Sequence, residues 1–256
     1  MDLICQKDVV SELKCCADKD RHCILICGAT CCGKTYLSKQ YSKMINTDSF
    51  YVVEPKMDAV RDLMDSCTNS NTTITVCIEN IDTAIPSVSN AILKFLEEPS
   101  SNVYIVITCK NLSNVLHTII SRCIVFELRP PTTDDLLLYA NSAYHDSTID
   151  KSLWSCIQDF SDIDTAAKLT TSQISYMTDI LSLIYSNDPV LTKLWKLQKF
   201  PDGTPIPVMF LLKYIIQATS SLKIKKFGYE YIQSIQNGKI AAHAVLAKFL
   251  MDCMYS

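Results

Sequence analysis

Glycine is scarce in this sequence, with five residues among 256, and two of the five fall between positions 28 and 35. The backbone of that short stretch therefore has an unusual conformation to adopt. The thirteen cysteines are an odd number and contain no C-x-x-C pair, so neither a disulfide scaffold nor a zinc site is expected. A reducing cytoplasm, where cysteine serves as a small core residue, is the expected compartment.

Long apolar runs and an excess of basic residues are also lacking. No run approaches the roughly 18 to 20 residues that a bilayer span needs, and the charged start Met1–Asp8 does not suit a secretion signal. Lysine and arginine number 24 against 27 acids, a net charge of −3, which excludes a protein that coats nucleic acid through bulk charge. We expect a soluble globular protein with no membrane partner, whose contacts with nucleic acid would be local.

Buried strands alternate with helices over the first half of the chain. The apolar or β-branched runs 23–27, 73–78, 103–108 and 124–128 predict strands, and 34–44, 58–67 and 90–98 have helical composition. This alternation predicts an α/β fold, with a parallel sheet covered on both faces. Pro130 and Pro131 then indicate a domain boundary, because neither a helix nor a sheet continues through them.

The remainder of the chain reads as helical. Helices are predicted over 150–160 and 165–185, and the segment 200–205 is the clearest later loop. We expect the region after Pro131 to drive assembly with other subunits. A stretch such as Val208 to Ala218, apolar over much of its surface, would invite association if it were exposed on a monomer.

The two clustered glycines belong to a phosphate-binding motif, G-x-x-x-x-G-K-[ST], between a predicted strand and a predicted helix. The motif consists of Gly28, Ala29, Thr30, Cys31, Cys32, Gly33, Lys34 and Thr35. Its backbone amides can hold the phosphates of ATP or ADP, Lys34 can reach the β and γ phosphates, and the Thr35 hydroxyl can ligate Mg²⁺. The alternative is a glycine turn that carries an exposed lysine by chance.

An acid at the end of a neighbouring strand would complete such a site. Glu79 and Asn80 follow the strand 73–78, so Glu79 is the candidate to serve the metal. Asn80 cannot accept a proton, which argues against base catalysis in this chain's own site. Asp82 is a possible substitute base, or else a cap of the next turn.

Residues 90–99 read N-A-I-L-K-F-L-E-E-P, and Ser121-Arg122-Cys123 come before the predicted strand 124–128. These two segments resemble the N-A-L-L-K-x-L-E-E-P and S-R-C motifs of the AAA+ clamp-loader subunits of DNA polymerases, of the bacterial gamma and delta-prime type and their replication factor C relatives. The resemblance is close from residue 3 to about 130 and looser beyond.

The resemblance implies an AAA+ core over 1–130, a helical lid over 131–182 and an oligomerising collar over 183–256. It implies a subunit that acts with other clamp-loader subunits to open a sliding clamp and place it on primer–template DNA. Arg122 would enter the ATP site of an adjacent subunit as an arginine finger. Arg61 and Lys94 are the candidates for contact with DNA phosphates.

Departures from the family pattern qualify this picture. The family's usual Asp-Glu pair is Glu79-Asn80 here. The γ-phosphate sensor falls near Cys109-Lys110, with Thr108 and Asn111 alongside, and Asp164 aligns with the lid arginine. The four-cysteine zinc module of bacterial members is absent, and the small size suggests a phage or otherwise reduced replication system. Binding of nucleotide is therefore better supported than turnover. A structural subunit that binds nucleotide without hydrolysing it, or another AAA+ motor or helicase loader, remains an alternative.

Overall fold

The computed structural model describes residues 6–68, 72–144, 149–185, 199–236 and 242–255. The chain divides into two compact units, Met1–Leu138 and Tyr139–Ser256. The predicted separation of lid and collar at residue 182 lies beside residues 186–198, which fall outside the described ranges, so it stays a prediction. Among the described helices, none is long and apolar enough to cross a membrane.

The first unit is built on a five-stranded sheet in which every strand pairs in parallel. The strands are β1 (Cys23–Cys27), β2 (Ser49–Val53), β3 (Ile74–Ile78), β4 (Val103–Cys109) and β5 (Ile124–Glu127). Their spatial order is β2-β3-β4-β1-β5. All carboxyl ends therefore meet at one edge of the sheet.

Helices cover both faces of this sheet. They are α1 (Lys7–Asp18), α2 (Lys34–Ile45), α3 (Met57–Thr68), α4 (Pro86–Glu97) and α5 (His117–Ile120). Side chains of α1 and α2 share one core cluster with β1, β4 and β5, and side chains of α3, α4 and α5 share another with β1, β3 and β4. Burial on both faces explains why β3 and β4 are apolar almost throughout. The α/β class predicted from the sequence is confirmed.

Two details of the prediction are wrong. The strand β2 was not predicted, and it lies at the sheet edge, where Tyr51 and Val52 are half exposed. An edge strand gives a weaker apolar signal because one side of it is solvated. Helix α4 begins at Pro86 and not at Asn90, since proline suits the first position of a helix, where its missing N–H has no partner to lose.

The second unit is helical in its described residues. Beyond α6 (Thr133–Ala143), which runs across the division, its helices are α7 (Phe160–Ala166), α8 (Thr171–Tyr185), α9 (Val208–Ala218), α10 (Leu222–Gln236) and α11 (Ala242–Tyr255). Of the short helices expected over 150–160 and 165–185, the first region contains a 3₁₀ helix over Lys151–Cys156, and α7 and α8 follow it. Thr170 caps α8, because its hydroxyl accepts from the Gln173 N–H while its own N–H donates to the Gln173 side chain.

Helix α9 is buried at the centre of the second unit, so its apolar surface is not exposed as expected. Eight of its residues, including Phe210 and Ile216, are buried within the chain itself. Helix α10 packs closely on it at Gly228, where an added Cβ would lie 2.5 Å from Ile216 Cγ1. The apolar sequence of α9 therefore indicates a helix of the core of this unit. Assembly through the region after Pro131 stays a prediction.

A buried ion cluster fixes α9 to α7. The Lys213 ammonium, 4% exposed, donates to Asp162 Oδ2 at 2.6 Å and to Asp159 Oδ2 at 3.1 Å. Asp162 is itself buried and also accepts the backbone N–H groups of Gln158 and Asp159. Burial raises the pKa of the Asp162 carboxyl against the lowering effect of Lys213. The Lys213 ammonium is therefore shared by the carboxylates of Asp159 and Asp162.

Replacement of that cation should destabilise the second unit. Lys213→Met retains the apolar stem but leaves Asp159 and Asp162 without their cation, so we expect a loss of about 3–5 kcal/mol in the free energy of unfolding. Lys226→Met, at an exposed position of α10, is the matched control and should change little. Urea denaturation at neutral pH measures both. Equal stabilities of the two variants would show that the cluster does not hold the unit together.

Candidate phosphate-binding site and arginine finger

The glycine motif forms the turn between β1 and α2. Gly33 precedes the first residue of α2 with a φ of 95°, and Cys31 has a φ of 58°. Turn conformations of this kind can direct successive backbone N–H groups to one side, which creates a concave site for an anion. The positive end of the α2 dipole adds to this preference.

Gly28 allows the start of the turn to pack against its surroundings. A Cβ at this position would lie 2.6 Å from Cys32 Sγ and 3.0 Å from the Leu128 Cβ. The Gly28 N–H donates to the Cys109 carbonyl at 3.1 Å, which ties the turn to β4. Cys32 is buried and its thiol contacts the Ala29 carbonyl at 2.9 Å, while burial raises its pKa. Cys32 therefore fills space in the turn.

The two polar side chains that follow the turn point back toward the site. Lys34 Nζ donates to the Gly28 carbonyl at 2.7 Å and to the Ala29 carbonyl at 2.6 Å. The Thr35 hydroxyl donates to the Glu79 carboxylate, so residues 44 positions apart meet. Hydroxyl and carboxylate oxygens suit Mg²⁺. In the part of the chain that the structure describes, no group of three or more His, Cys, Asp or Glu side chains could hold a metal. An ion at Thr35 and Glu79 would therefore depend on the nucleotide and water for its other ligands.

The ends of β3 and β4 are joined by two hydrogen bonds. The Asn80 N–H donates to Thr108 Oγ1 at 3.2 Å, and the Lys110 N–H donates to Asp82 Oδ2 at 3.2 Å. Asp82 therefore holds the backbone of the predicted sensor segment. Asn80 has a φ of 52° and a ψ of 48°, a left-handed conformation that asparagine tolerates better than most residues.

The predicted sensor positions are occupied by structural groups. Thr108 is buried beneath Asn80, and Cys109 is fully buried. The Asn111 side chain accepts from the Ser113 N–H at 2.9 Å and caps a short 3₁₀ helix. In the second unit, the Asp164 carboxylate accepts the hydroxyls of Tyr139 at 3.0 Å and Tyr144 at 2.9 Å.

Arg122 lies at the opposite end of the strands from the glycine turn. It precedes β5, which starts beside Ile24, whereas the turn follows Cys27, the last residue of β1. The strand length alone separates the two by about 10 Å. The guanidinium donates to Glu97 Oε1 at 2.7 Å and to the Thr118 carbonyl at 2.9 Å. Arg122 is thus kept away from its own chain's phosphate site.

The candidate DNA contacts are both on the surface. Arg61 is exposed on α3 and Lys94 is exposed in the last turn of α4. The two helices pack on the same face of the sheet. Both cations therefore belong to one helical layer, and their contact with DNA stays a prediction.

Comparison with known proteins supports the resemblance. Residues 50–132 match the sequence model of the family described as DNA polymerase III, delta subunit. A DNA polymerase III gamma subunit-related protein of Thermotoga maritima is similar in structure, with a TM-score of 0.59, 17% identity and coverage of 96% of this chain and 98% of that chain. The chain resembles a clamp-loader subunit.

The AAA+ fold is shared more widely than this. The RuvB Holliday junction branch migration motor of Thermotoga maritima matches with a TM-score of 0.53 and 16% identity, over 96% of this chain and 87% of that chain. At such identities the likeness shows the fold alone. No curated protein sequence matches the chain. The AAA+ module with a helical region after it, predicted from the sequence, is confirmed, and the clamp-loader type is supported by the family match.

The buried thiols of Cys77 in β3 and Cys109 at the end of β4 allow a test of how tightly these strands are packed. Desolvation raises the pKa of Cys77 to about 12 and raises the pKa of Cys109 as well, so both side chains are thiols and not reactive thiolates at pH 8. Cys15 is exposed on α1. We expect iodoacetamide at pH 8 to label Cys15 while Cys77 and Cys109 stay unmodified until the protein unfolds. Peptide mass spectrometry measures this, and early labelling of Cys109 would show that the strand ends are open to solvent.

Proposed function

We propose that this chain binds ATP or ADP with Mg²⁺ and acts as one subunit of a sliding-clamp loader in DNA replication. The observation that carries the proposal is the meeting of Thr35 and Glu79 beside the glycine turn. Those two side chains come from separate motifs of the clamp-loader pattern. The same pattern supplies Arg122, which precedes β5 at the opposite end of the strands from that site.

The residues of the turn have distinct roles in this function. The backbone amides from Gly28 to Lys34 would bind the β-phosphate, and the Lys34 ammonium would leave its carbonyl partners to bind phosphate oxygens. Thr35 and Glu79 would hold Mg²⁺, directly or through water. When bound, the ion neutralises charge on the phosphates.

Hydrolysis within this chain's own site is not supported by its side chains. Asn80 cannot accept a proton from water, and Asp82 is bound to the Lys110 N–H. Arg122, in contrast, is half exposed and retains donors for a further partner. We therefore propose that the chain contributes an arginine finger to a neighbouring subunit's site more than it turns over its own nucleotide.

The remaining partners follow from the same proposal. Other clamp-loader subunits, the sliding clamp and primer–template DNA, held through its phosphates, are the expected partners, with Arg61 and Lys94 on the DNA side. A chain with a net charge of −3 suits contact through a few placed cations. Cytoplasmic location and origin in a phage or other reduced replication system stay predictions.

A second function is favoured by one observation. Since Asn80 takes the place of the usual acid, the chain could hold nucleotide only as a structural element of the ring and never hydrolyse it. A single-turnover ATPase assay on the isolated chain separates this from an active ATPase. The RuvB likeness, at 16% identity, does not favour a branch-migration motor over either function.

Removal of the Lys34 ammonium should abolish nucleotide binding. Lys34→Ala deletes the side chain that would pair with the β and γ phosphates, whereas Lys39→Ala, exposed on the same helix, should bind as the wild type does. Calorimetric titration with ATP and Mg²⁺ measures the affinities. Equal affinity in Lys34→Ala and wild type would overturn the phosphate-site assignment.

Loss of Arg122 should affect the neighbouring subunit's site and not this chain's own. Arg122→Ala should lower the DNA- and clamp-stimulated ATPase of the assembled complex at that site by about 10²-fold or more, as loss of a transition-state arginine does. Nucleotide affinity of the isolated chain should stay unchanged. Asn80→Ala should alter turnover little, and Asn80→Gly controls for the left-handed backbone. A silent Arg122→Ala together with an inactive Asn80→Ala would instead indicate a self-sufficient ATPase.

A further inference from the structure

We infer that Glu97 is a positioning residue that orients the Arg122 guanidinium for use in a neighbouring subunit's site. The inference rests on the proposed function of Arg122 as a finger. It assigns a role to the first acid of the E-E-P sequence, at the end of α4. The two residues are 25 positions apart and belong to different motifs, so the sequence does not reveal their contact.

Two contacts fix the guanidinium at two different nitrogens. Nη2 donates to Glu97 Oε1 at 2.7 Å, and Nη1 donates to the Thr118 carbonyl at 2.9 Å. Because the guanidinium is planar, two anchored nitrogens define the direction of the whole group. The group offers five N–H donors, so donors remain for the oxygens of a ligand.

The position of Glu97 indicates that it does not serve the stability of its own helix. It is the last residue of α4, where the negative end of the helix dipole disfavours a carboxylate. The pair is also solvent-exposed, with 35% of the Arg122 side chain and 51% of the Glu97 side chain accessible, and exposed ion pairs contribute little to folding. What the contact does restrict is the freedom of a long arginine side chain.

Pre-orientation is what a group that enters another subunit's site requires. A finger that is already held in place loses less freedom when it binds, and a displacement of about 1 Å in such a group can cost up to about 10²-fold in rate. Glu97 fixes only one of the two anchored nitrogens of Arg122, so it supplies part of this pre-orientation. We therefore expect loss of Glu97 to have a smaller effect than loss of Arg122.

The first test uses the isolated full chain. Order parameters of the Arg122 side-chain Nε–Hε group, from ¹⁵N relaxation, should fall in Glu97→Ala and be largely retained in Glu97→Gln, whose amide oxygen still accepts a hydrogen bond. Glu98→Ala, which removes the adjacent exposed acid, is the control and should leave Arg122 unchanged. Thermal unfolding should be the same or slightly higher in Glu97→Ala, because an acid is removed from a helix C-terminus. An equally ordered Arg122 in Glu97→Ala would overturn the inference.

The second test uses the assembled complex and a double-mutant cycle. Glu97→Ala should lower kcat of the stimulated ATPase about tenfold with little change in KM. Glu97→Gln should retain most of the wild-type kcat. In an Arg122→Ala background, Glu97→Ala should cause no further loss of kcat. If Arg122→Ala lowers kcat but Glu97→Ala leaves kcat unchanged or raises it, the positioning role of Glu97 is wrong and the arginine-finger role of Arg122 is retained. If Arg122→Ala is itself silent, the finger and this inference both fail.

Discussion

The common direction of the five strands is the constraint on which the site depends. Because the sheet is parallel, the residues that follow β1, β3 and β4 arrive at one edge although the chain separates them by many residues. The glycine turn, Glu79 and Lys110 share a site for this reason alone. Hydrogen bonds then refine the arrangement, since Thr35 contacts Glu79 and Asp82 binds the Lys110 N–H. A reversed strand at any of these positions would remove its residue from the site.

Much of the first unit could be predicted because its signals are local. Buried strands of a doubly covered sheet are apolar throughout, and the phosphate-binding motif has a fixed spacing. The edge strand β2 was missed because two of its residues, Tyr51 and Val52, are half exposed and give no buried pattern. The burial of Lys213 and its pairing with Asp162 could not be foreseen either, since such a pair depends on how distant helices pack. The contact of Arg122 with Glu97 was hidden for the same reason.

At Asn80 the backbone conformation and the chemistry of the side chain impose separate requirements. The residue adopts a left-handed conformation between β3 and a 3₁₀ turn, and its N–H reaches Thr108. Asparagine meets that steric requirement at low cost, while its amide has no capacity to take a proton. The position thus keeps the shape of the strand end without the acid. An exchange of acid for amide at this point need not disturb the fold.

The separation of Arg122 from the glycine turn makes the two ends of the sheet unlike each other. If the arginine of one subunit serves the turn of the next, always in the same direction, the contact is heterologous and joins the subunits head to tail. Such subunits either close into a ring or form a row with one unserved turn at one end and one idle arginine at the other. An open row therefore has fewer complete sites than subunits, and its terminal subunits can lose catalytic groups without lowering the total rate.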